Sequence, residues 1–439
     1  MAPQSGSPRT LRIVYATTFL LALAARLWWV FRVQNPLAAV YSDMGVYVSR
    51  ADMLLAGKLP GEPRVLAFWP WGTHTIIAGE FWLLGRNGTF TIGVLHAVVG
   101  AIIAPASAAL CARFTGRPWS ALLAGCAVAL WHPHILYSGY FLSEIWFTTA
   151  LVLGTLLLVR YAEQGKGALG CGLLLALAFA VRPQILLTVM MVGGVFVLGR
   201  LMGRPYLRRA RFGIVLLLLP LALTMAGSAI RLHRLTGKVG LIAAYEPLQR
   251  LFGETDVDKV EATWSTPNGD RWTWWFNPPT KKPIKTVITF EGFICDKEIL
   301  EKIRKERLAN TTLKQRMMRK VDNVTMLVLG NEPWPESELP KPTRFRKDLQ
   351  YNFGKAALIV LVLAAGGVTG LGRHRLAALL VRIHLLSIVV VASMYLGEAR
   401  YRVPFDPFLI VAAVVGLGNF EDGLRRIVRG LRRRLAQEK

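Results

Sequence analysis

Nine residues set the chemical question: Asp43, Glu80, His132, His134, Glu144, Arg182, Glu398, Arg400 and Arg402. Each lies in or beside a long apolar run, where an ionisable group is expensive and defaults to a functional reading. Carboxylates and arginines gathered at one membrane face would make a site for an anionic group together with a proton acceptor. A guanidinium grips an anionic oxygen group through fixed, forked donors. A carboxylate takes the proton of a hydroxyl. Plainer readings stand beside these. Asp43 follows Ser42, a good N-cap, and an acid in a first turn favours the helix dipole. Glu144 opens a helix after Ser143 in the same way. Arg182 precedes Pro183 and is able to snorkel to headgroups. Arg400 and Arg402 are able to pair with Glu398 and Asp406. His132 and His134 flank Pro133 in a spacing open to a metal, but no third ligand is fixed by spacing. Tyr47 follows Asp43 by one helical turn on the same face, placed to orient it or to anchor the interface.

The elements that must position these residues are membrane helices. Of 439 residues 53% are hydrophobic, and several runs of about 15 to 22 residues carry no charge. The net charge of +26 does not mark a nucleic-acid binder, because the basic residues sit in short clusters between apolar runs. Ten spanning helices fit: 12–31, 90–112, 118–132, 143–160, 168–182, 184–199, 212–230, 353–372, 376–395 and 403–418. The run 66–84 holds Pro70, Gly72, His74 and Glu80 and reads as an interfacial or re-entrant segment with an aromatic belt of Trp69, Trp71 and Trp82. The charge count decides this choice. With 66–84 outside, the segments "RFTGRP", "RYAEQGKG", "GRLMGRPYLRRAR", "GRHR" and the tail all fall inside, while "WHPHILYSGYF" falls outside with no Lys or Arg. Both termini are then cytoplasmic. The first run contains "LLALAA", similar to a signal peptide, but continues through "RLWWVF" and is read as an uncleaved helix.

Three parts follow. Residues 1–230 form a membrane module whose first outer loop, 32–89, carries Asp43. Residues 231–352 form an outer loop or small domain, expected as a lid on the bilayer. Residues 353–439 hold the last helices and a basic tail. The four cysteines make no CxxC and suggest neither a disulfide framework nor a zinc ribbon. The fold class is an all-α polytopic membrane protein with interfacial helices and one large extracytoplasmic loop.

The stretch "YSDMGVYVSRADMLLAGKLP" resembles the first outer loop of the polyprenyl-phosphate-sugar-dependent glycosyltransferases with the multi-spanning GT-C fold. The nearest group is glycosyltransferase family 39, the protein mannosyltransferase and aminoarabinose transferase relatives. "FWPWGTH" resembles the family's Pro-Gly segment, "HPHILYSGYFLSEIWFTTALVLGTLLL" its proline-to-Ser-Glu helix pair, and "EARYRVPFDPFLIVAAVVGL" its last helix. The resemblance implies that Asp43 is the catalytic base and that Arg182, Arg400 and Arg402 hold the donor phosphate. His132, His134, Glu144 and Tyr47 join as substrate-binding candidates, Tyr47 also as a surface for a sugar. Region 231–352 has no counterpart. Met44 stands where the protein mannosyltransferases have a second acid, so a glycan, lipid or protein acceptor remains open.

The chemistry suits the residues. A phosphate leaves as a stable anion, so one base suffices where a glycosidase needs two carboxylates. Direct displacement would invert the anomeric carbon. Arginine neutralises a monophosphate, so no cofactor is required and a divalent metal is optional. The expected partners are a polyprenyl-phosphate sugar, an acceptor hydroxyl and membrane lipids, with no nucleic acid. The expected setting is a bacterial inner or plasma membrane with the site outside. A transporter or lipid flippase is the main alternative, although the sequence shows no repeated halves. A non-catalytic assembly subunit is the third.

Overall fold

The uncharged runs build helices that satisfy their own backbone, as a spanning segment must. The computed structural model describes residues 7–437 except 39, 59, 61, 204–212, 241–242, 267–268, 279–282, 331–333, 337–342 and 372–374. Most of the basic stretch expected at 199–211, and residues 372–374 of "GRHR", lie outside the described residues.

Helix α1 (Pro8–Arg32) starts where Ser7 accepts a bond from the Thr10 amide and Pro8 presets the first turn. Two short helices follow, α2 (Ser42–Leu55) and α3 (Gly72–Leu84). Next come α4 (Thr89–Ala101), α5 (Ile103–Thr115), α6 (Pro118–Ala129) and α7 (His132–Leu136). The membrane module continues with α8 (Glu144–Gln164), α9 (Ala168–Val181), α10 (Ile185–Leu201) and α11 (Gly213–Thr236).

Among the described residues, seven helical stretches are long and apolar enough to cross a membrane. The expected segment 118–132 is a bent pair, turning by 55° where α6 gives way to His132–Gly139. Pro133, in the first turn of α7, is compatible with a new helix start but not with an uninterrupted one. The expected segments 168–182 and 184–199 are the shorter apolar helices α9 and α10. All ten expected spans are thus helical, and 66–84 is largely α3, too short to span by itself.

The chain then forms α12 (Glu246–Glu254), strands β1 (Lys259–Ser265), β2 (Arg271–Phe276) and β3 (Val287–Glu291), and helices α13 (Lys297–Ala309) and α14 (Leu313–Leu329). The sheet order is β2-β1-β3, with β1 antiparallel to β2 and parallel to β3. The all-α expectation holds for the body of the protein, and this small sheet is the addition. Alternate residues of β1 (Val260, Ala262 and Trp264) are buried and share one apolar cluster with Met44, Phe68 and Trp69 of the first loop. Trp264 Nε1 also donates to Glu62 Oε2 at 2.8 Å. The large insertion is therefore packed onto the first loop.

The last helices are α15 (Arg344–Gly370), α16 (Arg375–Met394), α17 (Ala399–Arg402) and α18 (Asp406–Gln437). Two glycines allow the close approaches that shape the site. A Cβ on Gly72 would sit 2.5 Å from the Ala180 carbonyl carbon, so α3 reaches the end of α9 just before Arg182 only with glycine there. A Cβ on Gly253 would sit 2.4 Å from the Tyr395 backbone, where α12 meets the turn before Glu398.

Candidate functional site

Four expected residues from four segments of the chain meet. Arg400, on α17, donates through Nη1 to Asp43 Oδ2 at 3.0 Å and through Nε to Glu144 Oε1. Arg182, just after α9, donates through Nη2 to the same Glu144 oxygen at 2.5 Å and through Nε to Ser143 Oγ at 2.8 Å. Glu144 is 1% exposed and braces both guanidiniums. Two cations and two carboxylates balance, which is what allows them to be buried together. Arg182 Nη1 is buried without a hydrogen-bond acceptor. An anion reaching it would satisfy a donor that the protein leaves open. The indole of Trp334 lies 4.6 Å from the Arg400 guanidinium and roofs it.

Both serines expected as helix caps do something else. Ser42 lies within α2 at φ +49°, in the left-handed region, and the N-cap is Tyr41, which makes no side-chain capping bond. A non-glycine residue there is strained by about 1–3 kcal/mol, and such strain gathers at functional sites. Ser143 makes no capping bond either, because its hydroxyl accepts from Arg182 and donates to Glu144 Oε2 at 3.3 Å. Asp43 and Glu144 do lie in the first turns of α2 and α8, and both also join the ion network.

The cluster opens into a cavity of about 690 Å³. Asp43, Tyr47, Arg182 and Arg400 line it, and so does Glu398, one of the charged residues expected near the outer face but given no role of its own. Tyr47 stands edge-on to Trp69 at 6.2 Å between ring centroids. Further lining comes from α10, α12, β2 and α16, including Gln249, which no motif singled out, and Trp274 and Trp275, tryptophans of the large loop that the sequence offered as a cover for the acceptor. Their signal was the Trp-rich run 272–275, which marks a binding wall only once it is set beside Asp43.

The other expected site residues lie elsewhere. Arg402 faces away from Arg400, as alternate positions do on a helix. It pairs with Asp406 at 2.9 Å and donates to the Val328 carbonyl at the end of α14. Asp406 also accepts from Trp131 Nε1 at 2.7 Å. Arg402 thus locks α14 to the last helices and does not line the cavity. His132 and His134 are buried outside the cavity lining, His132 edge-on to Trp29 at 5.5 Å. Among the described residues, no three His, Cys, Asp or Glu side chains are grouped to hold a metal.

Glu398 gives the site a pH dependence. Burial pushes its carboxyl up to about 7; Asp43 and Glu144 add to the rise, and Arg400 and Arg182 oppose it. The hydroxyls of Tyr137 and Tyr401 are the other titratable groups coupled to it. Between the ordinary carboxyl range and about pH 7 the folded protein keeps a proton that the unfolded chain releases. Its contribution to stability is therefore full at low pH and is lost as pH rises through that window. Above pH 7 the cavity gains a negative charge. The KM for an anionic substrate is expected to rise as pH increases through 7, and the Glu398→Gln variant should flatten that step. A pH series of KM on both proteins checks it.

The sequence model of the dolichyl-phosphate-mannose-protein mannosyltransferase family matches residues 41–233. No curated protein sequence matches the chain significantly. Among solved structures, the Archaeoglobus fulgidus oligosaccharyltransferase without ligand is similar at 12% identity and a TM-score of 0.49, over 96% of this chain and 52% of that one. The same enzyme tethered to an acceptor peptide gives 12% and 0.44, over 94% and 50%. ArnT from Cupriavidus metallidurans bound to undecaprenyl phosphate gives 10% and 0.38, over 94% and 79%. The chain spans about half the length of the oligosaccharyltransferase. Residues 41–233 hold Asp43, Glu144 and Arg182 but end before Glu398 and Arg400. Over the stretch that carries its candidate base, the chain is similar to the dolichyl-phosphate-mannose-protein mannosyltransferase family.

Proposed function

We propose that the protein transfers a sugar from a polyprenyl-phosphate donor to an acceptor hydroxyl, with inversion and with Asp43 as general base. One observation carries this reading. Asp43, Arg182 and Arg400 line the same cavity as apolar Leu186, Leu187, Val391 and Met394 of α10 and α16. A phosphate on a hydrocarbon chain needs that combination, charge for its head and an apolar wall for its tail.

The acceptor oxygen attacks the anomeric carbon while the bond from that carbon to the phosphate oxygen breaks. The bonding pair leaves with the polyprenyl phosphate, and the acceptor proton passes to Asp43. Arg400 couples these events. Once Asp43 takes the proton, its attraction to Arg400 weakens, and the Arg400 charge turns to the leaving phosphate. That stabilisation grows as the reaction proceeds, the kind that raises kcat. Arg182 binds the phosphate in the ground state through its open Nη1. Arg182→Ala is expected to raise the donor KM by about 10- to 100-fold, the effect of a charge-assisted bond, with a smaller change in kcat.

The charge pattern supports an extracytoplasmic site. Segment 131–141, next to Ser143, holds no Lys or Arg, while the connections 113–117 and 160–166 are basic. The test is radiolabelled sugar transfer by the purified protein in oriented vesicles, with polyprenyl-phosphate sugars supplied from the outer side. Transfer to a hydroxyl acceptor is the expected result. Labelled lipid crossing the bilayer with no transfer from any donor would replace this reading by the flippase one.

A further inference from the structure

The cavity has a second wall that the donor chemistry does not use. Strand β2 contributes Trp274, Trp275 and Phe276 to it, and helix α12 contributes Glu246 and Gln249. Aromatic rings connect this wall to the candidate base. Tyr47, one turn from Asp43, meets Trp69 at 6.2 Å, and Trp69 meets Trp274 at 5.8 Å. Phe68, fully buried, holds Trp274 from below at 4.9 Å. Trp275, which also lines the cavity, remains 56% exposed, with the Lys259 ammonium 5.0 Å from its ring.

Rings interspersed with a carboxylate and an amide suit one kind of ligand. A sugar ring has a face of C–H groups, which meets the negative face of an indole. Its rim of hydroxyls needs planar acceptors and donors such as Glu and Gln side chains. A hydrocarbon chain would place nothing polar opposite Gln249 or opposite Glu246, whose carboxylate also meets Tyr395 and Arg250. A peptide would rely on backbone partners at the free edge of β2 more than on the ring faces.

We propose that the α12–β2 wall is a binding subsite for a saccharide acceptor, with Trp274 and Trp275 as stacking surfaces and Glu246 and Gln249 as hydroxyl partners. This rests on the transfer reading above and names its acceptor class. The ring series from Tyr47 to Trp274 then lets one unit of an oligosaccharide present its hydroxyl to Asp43 while the next units lie along β2. The wall falls outside residues 41–233, the part shared with the mannosyltransferase family.

The test needs neither donor nor turnover. The full-length purified protein is applied to immobilised mannose-, glucose-, galactose- and arabinose-containing oligosaccharides and to Ser/Thr-rich peptides. Retention on at least one oligosaccharide is expected. It should weaken about tenfold in Trp274→Ala, the upper range for one stacking contact, and recover largely in Trp274→Phe. Trp275→Ala, at an exposed position, answers the question if Trp274→Ala does not fold. Retention of peptides alone, or of no ligand, overturns the proposal, as does glycan retention unchanged in both alanine variants. Glycan binding with no transfer from any donor would sink the transferase reading and leave the subsite standing. Transfer without glycan retention would do the reverse.

Discussion

Replacing Asp43 with asparagine is expected to lower sugar transfer by about 10²- to 10⁴-fold, the usual effect of losing a positioned general base. The amide keeps the size of the side chain and an oxygen that accepts from Arg400, now 3.0 Å from the carboxylate. Donor binding should therefore hold within a few-fold, and the loss should fall on kcat. Asp43→Glu keeps the charge but displaces it by a methylene and should recover only part of the rate. Single-turnover assays with radiolabelled donor separate the two effects. Transfer by Asp43→Asn at more than half the native rate would move the base elsewhere, with Glu398 first in line.

The second large effect concerns folding. Glu144→Gln leaves Arg182 and Arg400 in a buried site without their common counter-charge. Breaking a buried pair from one side costs about 3–5 kcal/mol, because a cation is left uncompensated. Here two cations share the partner, so the variant should lose most of its thermal stability in detergent and its yield in the membrane. Asp52→Asn is the contrast. Its pair with Arg86 is roughly half exposed on both sides, and such pairs are worth about 0–1 kcal/mol. Melting curves of the two variants decide. A Glu144→Gln protein as stable as Asp52→Asn would mean that the cluster is held by something other than its charges.

The spanning helices were legible because uncharged runs of that length have few other fates in a folded chain. The bend before His132 was not read, although Pro133 announced it. The sheet was also readable. Two runs rich in aromatic and β-branched residues flank "STPNGD", the mark of a hairpin, but the tryptophans drew the reading toward the bilayer surface. Asp43, Glu144, Arg182 and Arg400 were found through the cost of charge near a membrane. Ser42 was misread because a cap is a local expectation; Ser143 does hold the N-cap position, but only the folded chain brings Arg182 to its hydroxyl. The plain pairing reading holds for Arg402, whose partner Asp406 lies four residues on, and this is what separates it from Arg400.

The order in which these groups leave the ribosome has a consequence. Asp43, Glu144 and Arg182 are synthesised and inserted well before Arg400, which arrives with the last helices. Until then Asp43 lacks its hydrogen-bonded guanidinium, and Glu144 has one arginine instead of two. A chain that stops before α17 therefore carries residues 41–233, the matched segment, without the guanidinium that meets Asp43 in the folded protein. On the proposed reaction, sugar transfer would therefore wait for the last helices to be inserted.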